Sequence, residues 1–388
     1  MDECQYSSEE IIPLMKPTFN EEMEKAAVEA LLNEHFVMGE SVYRFEEEFA
    51  KYCDVDHAVS TNSGTDALQV TLAALGISQG QEVITSPASF IATSNAVLHV
   101  GARPLFVDVD LTSYTIDPGL IQRAVRAKTR AIIPIHLYGY PADMDSINSI
   151  AHKNRLYVIE DACQAHGAYY EGRRVGSLGD VACFSFYPSK NMTVGGDGGM
   201  IVTNDEGIAK SAAKLRDCGR KSKYVHDMIG YTARLNTVNA AIGRVQLRHL
   251  DEWNDKRRII ARIYDSLLSN LSKVILPPKG DREKLPAYHL YVIRTQYRNK
   301  LITWLESKGI QCGIQYALPI HLQPIYRKIF GFKTGIYPLS EKLCRTCLSL
   351  PMYPELPTAK VKFVSEKILE FFAINWRSQR GTSARAQG

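Results

Sequence analysis

The chain has 388 residues, 45% of them hydrophobic and 23% charged, with a formal net charge of +4. This is the composition of a globular protein too long for one small core, so two domains are expected. Arg377, Arg380 and Arg385 near the end carry three of the four net positive charges, which leaves the body without the electrostatic footprint of a nucleic-acid binder. No apolar run approaches the roughly 18 residues of a membrane span, and the acidic start MDECQYSSEE does not read as a signal peptide. A cytoplasmic protein without membrane association is expected.

In chain order, HAVSTN (57–62) leads into a predicted helix over 65–75, TDALQVTLAAL, which ends at Gly76. Short apolar runs follow: EVITS (82–86), PLFVDV (104–109), RAIIPIHL (130–137), LYVIEDA (156–162), DVACFSF (180–186) and GMIVTN (199–204). A helical pattern separates two of them at 144–154, MDSINSIAHKN. Strand and helix in alternation predict a parallel sheet, and unbroken apolar strands predict one covered on both faces. Residues 206–270 are charged and mostly helical in pattern. ILPPKGDREKLPAYH (275–289) reads as a connection to a smaller α+β unit with a strand in HLYVIRT, a helix in RNKLITWLESKGI and a last helix in AKVKFVSEKILEFFAINW. The expected fold class is therefore α/β, with a large domain over 1–255, a small C-terminal domain over 256–376, and a disordered tail over 377–388.

Eight cysteines are scattered along the chain. Cys163 and Cys183 lie in apolar runs and read as buried thiols. Cys344 and Cys347 form a C-x-x-C with no second pair, so no metal site is expected; two positions on one helix explain them.

Ligands of an open parallel sheet bind outside the carboxyl ends of its strands. After HAVSTN, Gly64 permits close backbone approach, and Thr65 and Asp66 open a helix whose free N–H groups suit an anion. An ordinary N-cap by Ser63 or Thr65 accounts for the same residues. After LYVI, Asp161 ends a very apolar run, where a carboxylate either needs a buried positive partner or caps a helix. Gln164 can reach the same pocket. After CFSF, Lys190 stands between a buried strand and a glycine-dense loop. Loop lysines are commonly solvent-exposed, but one held here can lose proton affinity and attack a carbonyl. One ligand suits all three places: a phosphate for the Gly64 helix, an aldehyde for Lys190 and a cationic ring nitrogen for Asp161. Pyridoxal 5′-phosphate (PLP) has these parts. Phe90, in TSPASFIATSNA, is a candidate to stack on its ring, or else ordinary core. P-loop, G-x-G-x-x-G and G-x-S-x-G patterns are all missing.

These residues belong to longer stretches: FEEEFAKY, TNSGTDAL, ITSPASFIATSNAV, IIPIHLYGYPADMD, VIEDACQAHGA, GSLGDVACFSFYPSKNMTVGGDGG, YALPIHLQPIY and LSLPMYP. Together they make the sequence, from about residue 11 to 375, resemble the DegT/DnrJ/StrS family of PLP-dependent sugar aminotransferases, which have the aspartate-aminotransferase type of fold (fold type I). The resemblance implies catalytic roles for Lys190, which joins the cofactor's aldehyde, and Asp161, which faces its pyridine nitrogen. It places Gln164 near the phenolic oxygen, Gly64, Thr65 and Ser185 at the phosphate, and Phe90 on the ring. Tyr316 and His321, in YALPIH, fall near the sugar substrate. The implied reaction moves an amino group from an amino acid, L-glutamate, to a nucleotide-diphosphate keto-sugar, in amino-sugar and polysaccharide biosynthesis. A keto-cyclitol acceptor and a non-catalytic PLP-binding regulator are the alternatives; Lys190 argues against the related dehydratases, where histidine replaces it. A homodimer with active sites at the subunit interface is also implied. One departure stands out: the family's G-Y-N-x-R-M is GYTARL here, so Thr232 replaces an asparagine that reaches the neighbouring subunit's cofactor phosphate. Arg220, Lys221, Lys223 and Arg234 are candidate cations for the anionic substrate, or else a solvated charged loop.

Overall fold

The computed structural model describes residues 11–384, with side chains through 374. Seven strands form one sheet: β1 His57–Thr61, β2 Glu82–Thr85, β3 Arg103–Phe106, β4 Thr129–Ile133, β5 Tyr157–Asp161, β6 Val181–Ser185 and β7 Gly199–Thr203. Their order is β1-β7-β6-β5-β4-β2-β3. β2 to β6 pair in parallel, while β7 runs antiparallel to both β6 and β1. The sheet is therefore mostly parallel, with one reversed strand that the sequence pattern does not distinguish. The Lys190 loop is the connection that makes this reversal.

Successive residues of the central strands enter opposite cores. Val158 and Ala182 join one cluster; Ile159 and Cys183 join the other. This is why the strands read as unbroken apolar runs. Helix α1 spans Glu21–Asn33, α2 spans Glu40–Cys53 and α3 spans Gly64–Ala74. α2 buries Val42, Phe45, Phe49 and Cys53 against the first face, at helical spacing. α3 buries Ala67, Leu68, Val70 and Leu72 against the second. Each fully buried Leu, Val or Phe stabilises the fold by about 1.5–3 kcal/mol. Two strands end earlier than their apolar runs. β4 stops at Ile133 because Pro134 has no N–H to continue the ladder; β3 stops at Phe106, and Val109 forms an isolated bridge with Ile116.

Helix α4, Thr237–Leu268, is 32 residues long and crosses residue 255 without a break. Its later part (Ile260, Ala261, Tyr264, Leu268) packs in a separate core with Leu301, Leu305, Val361 and Ile368. That core includes the antiparallel pair β8, Tyr291–Arg294, and β9, Cys347–Leu350. It also takes Ile12, which bridges Ile310, so the start of the chain contributes to the smaller unit rather than the larger one. Cys344 lies in the helix Pro338–Thr346, but Cys347 opens β9. The two are therefore not on one helix, because the apolar CLSL run pairs as a strand. The last helix, Thr358–Ala384, runs past Trp376, where the sequence pattern predicts disorder to begin; residues 385–388 of that tail lie outside the described residues. Among the described residues, no helix is long and apolar enough to cross a membrane, and no group of His, Cys, Asp and Glu could hold a metal ion.

Candidate active site

The carboxyl ends of β1, β5 and β6 open on one cavity of about 480 Å³, a volume ordinary for a ligand pocket. Gly64 and Thr65 form one wall at the start of α3. Asp161 and Gln164 follow β5, and Ser185 and Lys190 follow β6. Phe90 and Tyr316 complete the set of predicted residues in the lining.

The α3 wall is built by a cap. Ser63 accepts a hydrogen bond from the Asp66 amide at 3.0 Å and donates one to the Asp66 carboxylate at 2.7 Å. The cap is thus Ser63, and Thr65 is left to the cavity. The first N–H groups of a helix have no partner within it, and here they open on the cavity beside Ser185. Gly64 is needed for that approach, since a Cβ on it would lie 2.6 Å from the Ser185 Cβ.

Asp161 is buried at the end of β5. It accepts from the Thr93 hydroxyl at 2.7 Å and from the Cys163 amide at 3.2 Å. Both donors are neutral, and Asp161 forms no ion pair with any described residue. No described residue forms the ion pair that a buried carboxylate calls for, which fits a cationic ring nitrogen in the cavity.

Lys190 is positioned by its flanks. Its amide donates to the Tyr187 carbonyl at 2.8 Å. Asn191 is buried and donates to Asn254 of α4 and to the Ala287 carbonyl, both at 2.8 Å. The Thr193 amide donates to Gln246 at 3.2 Å. The loop is therefore clamped while the Lys190 amine has no hydrogen bond or ion pair among the described residues. Burial lowers its proton affinity, against the opposing pull of Cys163 and Asp161. Burial also holds the Cys163 thiol well above its usual range, so it stays protonated.

Gln164 accepts from the Tyr138 amide at 2.8 Å and donates to the Tyr316 hydroxyl at 3.2 Å. Tyr316 is kept neutral by burial, which raises its phenol. Its ring centroid lies 5.8 Å from that of Phe90, which is 54% exposed. An exposed aromatic on a cavity wall is available to a planar ligand, so the core explanation for Phe90 does not hold. The donor set, a glycine cradle, an unpaired buried carboxylate, an unpartnered amine and an open aromatic face, fits PLP.

Two predicted residues stand elsewhere. His321 is fully buried, with Nε2 3.2 Å from Glu341 and its ring 4.9 Å from that of Tyr337. It does not line the cavity; it ties its loop to the helix Pro338–Thr346. Thr232 is exposed, with its hydroxyl 3.4 Å from the Cys218 thiol, and it does not line its own chain's cavity either. Arg220 and Lys221 lie on the exposed ribbon Arg220–Ser222 and Val225–His226, with Lys223 at its turn. Arg234 and Arg220 both pair with Asp217.

The cavity also holds residues that the sequence reading passes over. Thr93, the donor to Asp161, sits three positions after Phe90 in the same stretch, and that spacing could have found it. His289 gave no signal, because AYHLYVIRT reads as a connection and a core strand.

His166 packs beneath the site against Phe184 and Phe186, with ring centroids 5.2 and 5.8 Å away. Burial, with the Lys190 charge adding to it, lowers its pKa to about 3. Since the unfolded value is near 6.5, the unfolded chain binds one more proton between those limits. Stability is thus full above about pH 6.5 and is lost as pH falls toward 3, at about 1.4 kcal/mol per pH unit for this group. His166→Phe should flatten the slope of unfolding free energy against pH by about one proton across pH 4–6 in denaturant titrations.

A mostly parallel seven-stranded sheet, with a lysine on the loop after one strand and a carboxylate at the end of the next, defines an α/β PLP-dependent transferase of fold type I. The sequence matches the DegT/DnrJ/EryC1/StrS aminotransferase family over residues 17–369, and the chain belongs to that family. It is 41% identical over 353 residues to a dTDP-3-amino-3,4,6-trideoxy-alpha-D-glucose transaminase of Streptomyces venezuelae, covering 90% of this chain and 92% of that one. It is 42% identical over 345 residues to a protein of Geobacillus stearothermophilus named pleiotropic regulatory protein, covering 89% and 92%. The crystal structure of S. venezuelae DesV in complex with a ketimine intermediate superposes with a TM-score of 0.91 at 39% identity, over 93% of this chain and 98% of that one. The protein is a sugar aminotransferase.

Proposed function

We propose that this enzyme transfers an amino group from L-glutamate to a keto-sugar carried on a nucleoside diphosphate. The observation that carries this reading is the meeting of Lys190, Asp161 and the start of α3 in one cavity, in a chain similar over nine-tenths of its length to a dTDP-sugar transaminase. The cofactor is PLP, which when bound supplies an electron sink for breaking the bond to the donor's α-hydrogen.

The chain's residues then have these tasks. The α3 N-terminus, Thr65 and Ser185 hold the phosphate. Phe90 covers one face of the ring, and Gln164 offers its amide to the phenolic oxygen. Asp161 keeps the ring nitrogen protonated, which its burial between two neutral donors suits. Lys190 joins the aldehyde at rest. Once displaced, it would carry the proton from the donor's α-carbon to the cofactor's former aldehyde carbon and, in the second half of the cycle, from that carbon to the acceptor carbon.

Among the described residues, Lys190 is the only lysine or arginine in the cavity lining. The donor's carboxylates and the acceptor's pyrophosphate need further cations. Arg220, Lys221 and Lys223 on the exposed ribbon, with Thr232, suit the cavity of a second copy, which supports a homodimer with shared sites. A cytoplasmic setting, where glutamate and nucleotide sugars are found, accords with this reading.

The test is a panel of amino-acid donors and keto-acceptors, read by the cofactor's visible absorbance. Glutamate should bleach the resting band, and a nucleotide-linked keto-sugar should restore it. Restoration by keto-inositol alone would favour a cyclitol acceptor. A band that no donor changes would mean a PLP-binding regulator, the reading that the regulatory relative's name raises.

A further inference from the structure

Among the described residues, two basic side-chain nitrogens lining the cavity have no hydrogen-bond partner. One is the Lys190 amine, described above. The other belongs to His289, which lines the same cavity just before β8. His289 is 5% exposed, and its Nδ1 is buried without a hydrogen-bond partner. Its backbone is fixed, because its carbonyl accepts from Arg257 of α4 at 3.4 Å while the same guanidinium reaches the carbonyls of Tyr288 and Met352. Buried polar atoms in folded proteins are nearly always paired, and each exception calls for a partner that arrives later or a task that needs the vacancy. Two other polar side chains of the lining are already engaged. Asp161 accepts from Thr93 and Cys163, and Gln164 joins Tyr138 to Tyr316.

We propose that His289 is a positioning residue for Lys190: its imidazole accepts a hydrogen bond from the Lys190 amine when the donor has displaced that amine from the cofactor. This rests on the assignment of Lys190 as the cofactor-binding lysine. The imidazole must be neutral to accept, and the surroundings keep it so. Burial lowers its proton affinity most, with further depression from Lys190, Arg257 of α4 and His166 after β5. On the lysine side, the facing groups are Cys163, a neutral thiol, and Asp161, whose charge favours the ammonium against the effect of burial. An accepting imidazole adds to that side of the balance. It holds the freed amine in one place between its two proton transfers, instead of leaving it among several rotamers.

The experiment is competitive labelling of Lys190 with trace acetic anhydride across pH, read by peptide mass spectrometry. The holoenzyme is used in two forms, with the cofactor as aldehyde or as amine, and as wild type, His289→Gln and His289→Leu. In the amine form the His289→Leu profile should shift to lower pH. Lys190 acylation below the midpoint should then rise about threefold to tenfold, the size of a shift of about half to one pKa unit. His289→Gln, which keeps an acceptor, should stay close to wild type. With glutamate in single turnover, His289→Leu should lower the rate constant at saturation about 10-fold or more with little change in the donor concentration at half-saturation, and His289→Gln should recover most of it. Identical labelling profiles for wild type and His289→Leu would overturn the proposal, as would equal shifts in both variants. If Lys190 labels equally in the aldehyde and amine forms, it is the cofactor assignment of Lys190 that fails. If His289→Leu does not fold, His289→Gln still decides: the proposal requires its profile to match wild type.

Discussion

Lys190→Ala should lower the single-turnover rate of amino transfer from glutamate by at least ~10³-fold, without lowering stability. General acid–base groups contribute about 10²–10⁴-fold, and this substitution also removes the amine proposed to join the aldehyde. Of the other nitrogen groups in the cavity, His289 is held neutral at low proton affinity, and the Gln164 amide is already bonded at both ends. Neither can take over proton transfer. Lys190→Arg should be as inactive, because a guanidinium stays protonated at any working pH. The stability half of the prediction comes from the same environment. The amine makes no hydrogen bond or ion pair among the described residues, and burial works against its charge. Removing it breaks no hydrogen bond or ion pair among the described residues, and relief of a desolvated cation offsets the lost attraction of Asp161. A thermal melt of the cofactor-free Lys190→Ala protein should therefore match or exceed wild type. A large fall in stability would mean that the lysine is a structural residue.

The sequence showed the strands clearly because burial on both faces leaves a simple pattern, as in LYVIE and VACFS. It showed the lysine and the carboxylate because each breaks such a run with a charge. It did not show the reversed direction of β7, since an apolar run has no direction in its pattern. Strand ends were legible where a local rule fixes them, as at Pro134, and less so at Phe106. That His321 lies outside the cavity lining is hidden from the sequence for a related reason. A motif places a residue near a site along the chain, but only packing shows that the ring turns away to Glu341 and Tyr337. His289 was invisible because it lies about a hundred residues after Lys190 and joins the lining of the same cavity only through the fold. Thr93 and the Ser63 cap lie between these cases: their local spacing was available, but their partners were not.

Glu160 and Asp161 are adjacent carboxylates on β5 with opposite expected behaviour. Glu160 is fully buried. One of its oxygens accepts from the Leu178 and Gly179 amides, both at 2.8 Å; the other accepts from the Gly176 amide and from His136 Nε2, both at 3.0 Å. His136 Nδ1 accepts from the Ala142 amide at 3.0 Å, so the proton on Nε2 is fixed and a neutral imidazole suffices. Glu160→Ala leaves four donors, three of them in buried bonds, without acceptors. Each such group costs about 1–3 kcal/mol, so even with partial rearrangement the loss should reach about 4 kcal/mol, a large share of the roughly 5–15 kcal/mol typical of a domain. A fall in Tm of about 8 °C or poor soluble yield is expected. Glu160→Gln should also be destabilising, because its NH₂ would face two donors at whichever oxygen site it takes. Asp161→Asn differs. One amide oxygen can still accept from the Cys163 amide, and the NH₂ can donate to the Thr93 hydroxyl, so the fold is retained. What is lost is a charge that forms no ion pair with any described residue, and with it the hold on the ring nitrogen's proton that is proposed for Asp161. Asp161→Asn should therefore melt close to wild type while amino transfer falls by about 10²-fold or more, a loss of the size seen when an electrostatic group at a reacting centre is removed. If Glu160→Ala melted like wild type, or Asp161→Asn kept its rate, this division of structure and chemistry between two neighbours would not stand.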